Sequence, residues 1–274
     1  MTNGSAGRSG LRLGASLWGF YYNVPPAGQP DLDAAARTVV DLDSSLGLEI
    51  WASKALDAPA VDGAEIERLG VVCRDAAFLT VHTRGAYWYW DPSNLRDEID
   101  FAARLNAQTL VLHPPCLGLN DPDDRIDAPE IRRIAAYAAE RNVLLAVENM
   151  RDSVWLLDRV IDEFGDDPNK SNLGVCIDVG HANISRDAGG ARETVSNYLE
   201  RYAAQLVHLH LHDNDGLRDE HLIPGNGTID WDRVFTTLDR IGFAGTAVLE
   251  NHQQGISPRE GFERALGFVR RGRD

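Results

Sequence analysis

Residues 206–215 read LVHLHLHDND. In a strand, successive side chains point to opposite faces, so His208, His210 and His212 share one face while Val207, Leu209 and Leu211 take the other. A buried sheet face ordinarily carries aliphatics. Three imidazoles on one such face, followed at once by Asp213 and Asp215, imply an environment that uses nitrogen donors.

The runs on either side of this stretch have the same grammar. Short β-rich segments fall at LRLGASL (11–17), LGLEIW (46–51), AFLTVHT (77–83), QTLVLHP (108–114), VLLAVEN (143–149), LGVCIDV (173–179), QLVHLHLH (205–212) and TAVLEN (246–251). Their starts lie roughly 30 residues apart, the length of a strand, a helix and two loops. Amphipathic stretches fill the gaps. DLDAAARTVVDLDSSLG opens on Asp31 and closes near Gly47, APEIRRIAAYAAERN carries Pro129 in its first turn, and DWDRVFTTLDRIGFAG and PREGFERALGFVRR show i, i+3, i+4 apolar spacing. Eight strands alternating with eight helices predict an α/β chain folded as a single (β/α)₈ barrel over residues 11–274, after a loose tail at 1–10. A GxGxxG turn after the first run is missing, which argues against dinucleotide binding.

Composition bounds the function. At 274 residues with 43% apolar content, the chain is long enough for one large core. Net charge is −15, and the only lysines are Lys54 and Lys170. Such a surface repels polyanions, so nucleic acid and anionic membrane are disfavoured partners. The opening MTNGSAGRSG lacks an apolar signal segment and no run is long enough to span a bilayer, so a cytoplasmic protein is expected. Cys73, Cys116 and Cys176 form no CxxC pair and read as reduced, buried thiols; Cys116, just past a strand end, is a weak candidate nucleophile.

The polar residues collect at the carboxyl ends of the runs. The third run ends in His82, the fourth in His113, the fifth in Glu148 and Asn149; the sixth ends in Asp178 with His181 three residues on, the seventh carries His210, and the eighth leads to Glu250 and His252. Barrel active sites occupy that face, so these residues are expected to converge. Clustered carboxylates repel and buried imidazoles are costly unless a cation compensates them. A divalent metal site follows from ligand type and convergence.

The motifs VHTR, VLHP, AVENM, CIDVGHAN, HLHDND, DEHLIPGNGTIDW and VLEN resemble, in order, the strand-end motifs of the xylose-isomerase-like barrels, over residues 11 to about 270. That superfamily includes sugar isomerases and epimerases, inosose-processing enzymes and apurinic-site endonucleases of the endonuclease IV type. The resemblance implies that Glu148, Asp178, His210 and Glu250 hold the shared metal, with Mn²⁺ foremost and Zn²⁺, Co²⁺ or Mg²⁺ also compatible. In the endonuclease branch, further metals match His82 and His113 on one side and His181, Asp219 and His221 on the other; the alternative for His82 and His113 is hydrogen bonding to substrate.

Two chemistries follow. A sugar, sugar phosphate or polyol isomerase or epimerase would proceed through an enediolate, with Glu148 and Glu250 as acid and base and His181 shuttling a proton; elimination by a lyase or dehydratase is a neighbouring outcome. A phosphodiesterase would instead use several metals to activate water. Trp18, Tyr22 and Trp88, in aromatic stretches after the first and third runs, are expected to rim the mouth and stack on a small hydroxylated substrate, or to pack against neighbouring loops or a second subunit in a homo-oligomer. Arg84 and Arg151 could bind an anionic substituent or form ion pairs. Within HxHxH, His210 is the expected ligand, His208 a supporting or packing group, and His212 a rim residue; Asp213 is expected to orient an imidazole.

Overall fold

The computed structural model describes residues 10–21, 28, 30–51, 63–83, 90–121, 123–151, 156–165, 167–186, 191–252 and 254–273. Tyr22, Arg84, Trp88 and residues 1–9 of the expected tail lie outside the described residues.

Each strand falls within the run expected for it. The order is β1 (Arg12–Ser16), α1 (Leu32–Val40), β2 (Gly47–Trp51), α2 (Gly63–Cys73), β3 (Leu79–His82), α3 (Pro92–Arg104), β4 (Thr109–Leu112), α4 (Ala128–Ala139) and β5 (Leu144–Glu148). There follow α5 (Leu156–Phe164), α6 (Pro168–Ser171), β6 (Leu173–Asp178), α7 (Val179–Ile184), α8 (Val195–Arg201), β7 (Leu206–Leu211), α9 (Trp231–Arg240), β8 (Thr246–Leu249) and α10 (Pro258–Gly272). The strands pair in sequence order, and β1 closes the barrel against β8 with Gly14 opposite Val248. All these pairings are parallel, as the crossover connections through helices between consecutive strands require.

Helix ends follow local chemistry. Asp91, Asp127, Asp230 and Ser257 accept backbone N–H groups at the starts of α3, α4, α9 and α10, and proline sits in the first turn of α3, α4 and α10. The first helix is shorter than the sequence pattern suggests. It stops at Val40 because the Asp43 carboxylate accepts the Ser45 N–H at 2.8 Å, turning the chain before Gly47.

The two faces of the strands bury different chemistry. Outward residues such as Leu48, Ile50, Val81, Leu110, Leu145, Val147, Ile177, Leu209 and Ala247 join the main core beneath the helices. The barrel interior holds a separate, small apolar cluster of Val111, Ala146 and Cys176. Val207 packs against this interior trio instead of sharing the outer face with Leu209 and Leu211. The cause is a register shift in the β6–β7 pairing, where Val175 faces Leu206 but Cys176 faces His208. One extra residue on β7 re-aims the side chains that follow.

Cys73, Cys116 and Cys176 are all buried and free. Burial pushes the Cys73 thiol up to about 12 and the Cys116 thiol up to about 11, and raises that of Cys176 as well. A raised thiol pKa disfavours the nucleophilic thiolate, and Cys116 packs within the main core. At pH 8 a soluble aromatic disulfide reagent should modify none of the three thiols of the folded protein and all three after unfolding in guanidinium; fast labelling of native Cys116 would contradict this assignment.

Candidate metal centre

The strand alternation that sends aliphatics outward sends carboxylates and imidazoles into the barrel mouth. Glu148 ends β5, Asp178 ends β6, His210 is the fifth residue of β7 and Glu250 directly follows β8. Their exposures are 1%, 0%, 0% and 4%. One ligand atom from each lies within 4.8 Å of the others, a spacing that could hold a metal ion. His210 Nδ1 is the hub, 3.0 Å from Glu148 Oε1, 3.2 Å from Glu250 Oε2 and 3.9 Å from Asp178 Oδ2. Ser16 Oγ donates to Glu250 Oε1 at 3.0 Å, fixing that carboxylate from the first strand.

Two further groups flank this one. On one side, His82 Nε2 and His113 Nε2 each lie 3.0 Å from Glu148 Oε2, so Glu148 belongs to both groups. On the other, His181, His212, Asp219 and His221 bring ligand atoms together within 4.8 Å. His181 Nε2 is 3.1 Å from Asp219 Oδ2 and His221 Nε2 is 3.3 Å from Asp219 Oδ1. His212 Nε2 reaches Asp178 at 2.9 Å, and its ring stacks on His221 with centroids 3.8 Å apart. His212 is therefore a fully buried member of this third group and not a rim residue.

Local structure explains the DVGHA segment. Asp178 both ends β6 and caps α7, accepting the His181 N–H at 2.7 Å. A Cβ on Gly180 would sit 1.9 Å from the His212 ring, so only glycine lets that imidazole reach Asp178. His181 is aimed by its other nitrogen, with Nδ1 2.9 Å from the Asn149 carbonyl.

The loop carrying Asp219 and His221 is tied to Asp213. Its carboxylate accepts the backbone N–H groups of Asn214, Gly225 and Ile229 and the Trp231 indole N–H at 2.8–3.2 Å. Asp213 thus organises the 213–229 loop instead of orienting an imidazole. The loop places His221 at φ +50°, a left-handed conformation uncommon outside glycine. His221 Nδ1 is fastened to the Glu250 carbonyl at 2.7 Å, which holds this backbone in place.

The electrostatics are those of negative charge seeking a partner. Burial opposes an ionised Glu148, yet the facing His210 and His113 hold its carboxyl well below the usual carboxylate range. Burial likewise opposes an ionised Asp178, but His181 and His212 lower it. Burial works against charged His210 and His181 as well, and the surrounding carboxylates overturn it, raising both well above the ordinary imidazole value. His82 and His113 share one carboxylate oxygen and split in direction. Burial is outweighed by Glu148 at His82, which is raised, whereas at His113 burial prevails and lowers it. His252, beside His221, is lowered to about 3 by burial and its imidazole neighbours.

This donor set fits a divalent cation. Buried oxygens and imidazoles at mutual contact distance are ligands that otherwise need protons to coexist. Oxygen-rich with one imidazole, the central group suits Mn²⁺, Mg²⁺ or Co²⁺; the imidazole-rich outer groups suit Zn²⁺.

Aromatic rings border the centre. Trp18 lies 4.6 Å from the His221 ring and 5.0 Å from that of His252. Trp51 stacks on His82 at 4.0 Å. Arg151 is exposed in the turn after β5.

A family model described as the xylose isomerase-like TIM barrel matches residues 44–272. The chain belongs to this family. Among its relatives, an uncharacterized protein of Mycobacterium leprae is 30% identical over 271 residues, covering 88% of each chain. Another, from Methanocaldococcus jannaschii, is 32% identical over 165 residues; the match takes in 57% of this chain and 55% of that protein, about half its length. In fold, the chain is similar to D-psicose 3-epimerase from Clostridium cellulolyticum H10, with a TM-score of 0.67 at 16% identity over 96% of this chain and 99% of that one. No helix among the described residues is long and apolar enough to cross a membrane.

Three residues at this centre are absent from the sequence-based site: Ser16, Glu49 and Trp51. Their signature was the same period-two alternation read in HLHLH. Gly47, Glu49 and Trp51 share one face of LGLEIW, and the charged member of that face marks an interior position.

Replacing Asp213 by alanine should orphan several buried donors at about 1–3 kcal/mol each. Chemical denaturation should therefore show a loss of several kcal/mol, accompanied by altered Trp231 fluorescence. A loss below about 1 kcal/mol would mean that the loop is held by other contacts.

Proposed function

We propose that this protein is a divalent-metal-dependent isomerase or epimerase acting on a small sugar, sugar phosphate or polyol-derived ketone. The observation that carries this reading is the placement of Glu148 and Glu250, from strands on different sides of the barrel, against the same imidazole nitrogen at 3.0 and 3.2 Å. A cation bound among Glu148, Asp178, His210 and Glu250 would supply Lewis acidity toward two adjacent substrate oxygens. The residues do the rest. Glu148, kept ionised by its imidazole neighbours, takes the proton from the carbon next to the carbonyl. Glu250, its Oε1 held by Ser16 and its Oε2 turned inward, returns a proton drawn from solvent to the opposite face or to the neighbouring carbon, while Glu148 loses the abstracted proton to solvent. His181, steered by the Asn149 carbonyl, moves a proton between the substrate oxygens. Trp18 and Trp51 offer ring faces to the carbon skeleton, and His82 and His113 donate to its hydroxyls. Loss of a β-substituent after the first proton transfer would give a lyase from the same residues.

A second reading is favoured by one observation, the two complete flanking groups that adjoin the central one. Three cations there would suit apurinic-site or other phosphodiester cleavage. The net charge of −15 weighs against a polyanionic substrate, which is why the isomerase reading is preferred.

Metal analysis of protein saturated with Mn²⁺ or Zn²⁺ and then desalted separates the two, with about one ion per chain expected for the isomerase and about three for the phosphodiesterase. Incubated with ketohexoses in heavy water, the Mn²⁺ enzyme should place deuterium on a carbon adjacent to the carbonyl. Glu148→Gln and Glu250→Gln, assayed at saturating metal, should each lower this exchange by about 10²–10⁴-fold. Nicking of abasic DNA that disappears in Glu148→Gln, without any carbon exchange, would overturn the proposal.

A further inference from the structure

The layer of side chains beneath the metal centre is polar where barrels of this kind pack branched aliphatics. Glu49, Thr80, His208 and Thr246 all point into the lumen and are 0–6% exposed. Glu49 is the member that needs explaining, because a carboxylate with no exposure is costly unless it does something for its neighbours.

Its contacts supply the reason. His210 Nε2 lies 3.3 Å from Glu49 Oε2 in hydrogen-bonding geometry. The same ring turns Nδ1 toward Glu148 and Glu250. His210 therefore spans the two layers, one nitrogen facing the mouth and the other facing Glu49. The carboxylate is itself fixed, since Thr80 Oγ1 donates to Oε2 at 3.1 Å. His208 stands 3.3 Å from the same oxygen, and its Nδ1 lies 2.6 Å from Thr246 Oγ1.

We infer that Glu49 is a positioning residue: it accepts the Nε2–H of His210 and thereby presents the Nδ1 lone pair to a cation held by Glu148, Asp178 and Glu250. A metal-bound imidazole is held in one tautomer by the partner of its second nitrogen, and an anionic partner also makes it a stronger donor. Thr80 holds Glu49 by its hydrogen bond, and the His208 ring stands against the same carboxylate oxygen. A cation inside the lumen, on Cys176, His208 and His210, is the competing use of these groups. The point on which the His208 and His210 Nε2 atoms converge is already filled by Glu49 Oε2, 3.3 Å from each.

This inference rests on the metal reading, and the test separates the two. Apparent Kd values for Mn²⁺ and Co²⁺ are measured by chelator competition on the full chain and on the Glu49→Gln and Glu49→Ala variants, with circular dichroism and thermal melts reporting folding. Glu49→Ala should weaken binding by about 10–100-fold. Glu49→Gln keeps an acceptor without charge and should recover part of that loss. In Zn²⁺-loaded protein with ¹⁵N-labelled histidine, the His210 Nε2 proton should be protected from exchange in the parent and lost in Glu49→Ala, a change that loosened packing alone would not confine to one imidazole. Unchanged affinity in both folded variants would overturn the role of Glu49 while leaving the metal reading standing. Absence of metal binding by the parent would overturn both. A thiolate-to-cobalt charge-transfer band in the parent would place the ion on Cys176 and overturn the assignment in favour of the interior site.

Discussion

Negative charge buried at the mouth of the barrel is the constraint that the rest of the molecule answers. Glu148 and Asp178 are sealed from solvent, and each faces imidazole nitrogens within 4 Å. A carboxylate moved out of water must be met by hydrogen bonds and positive charge, or it will take up a proton. Histidine is the residue that can meet it in two ways, as a protonated partner or, once deprotonated, as a co-ligand of a cation. Collecting histidines around these acids therefore builds a site whose charge balance can be completed by protons or by metal.

The fold bears this arrangement because stability and chemistry occupy different faces of the same strands. Outward-facing aliphatics pack beneath the helices, where burial contributes roughly 25 cal/mol per Å² of apolar surface, and they bind helices to strands around the whole circumference. The lumen is thereby free to be polar. Loops near its mouth are built with the same economy of means: Asp213 ties down the segment bearing Asp219 and His221, and Asp178 starts α7 while facing His210 and His212.

Much of this was legible in the chain. The alternation of aliphatic runs with amphipathic stretches specified the eight strands to within a residue or two, because inner and outer faces are buried everywhere and leave little freedom in register. Glu148, Asp178 and Glu250 stood out as acids terminating apolar runs. Glu49 did not, since it lies inside its strand between Leu48 and Ile50, and only the side-chain period reveals which way it points. His212 was misjudged for a different reason. Its depth depends on the glycine at 180 and on the register shift at Val175, neither of which has a local signature. The part played by Asp213 was hidden too, because its donors come from residues up to 18 positions downstream.

Closure of the barrel also completes the site. Ser16 and Glu250 are 234 residues apart in the chain, and they meet only when β8 docks beside β1. Without that pairing, Glu148, Asp178 and His210 would form an open arc lacking its fourth side. Completion of the four-residue group is thus coupled to a contact that spans most of the chain, one with a large loop-closure entropy. A chain halted short of that step would have most of its hydrogen-bonded sheet and yet no enclosed cavity.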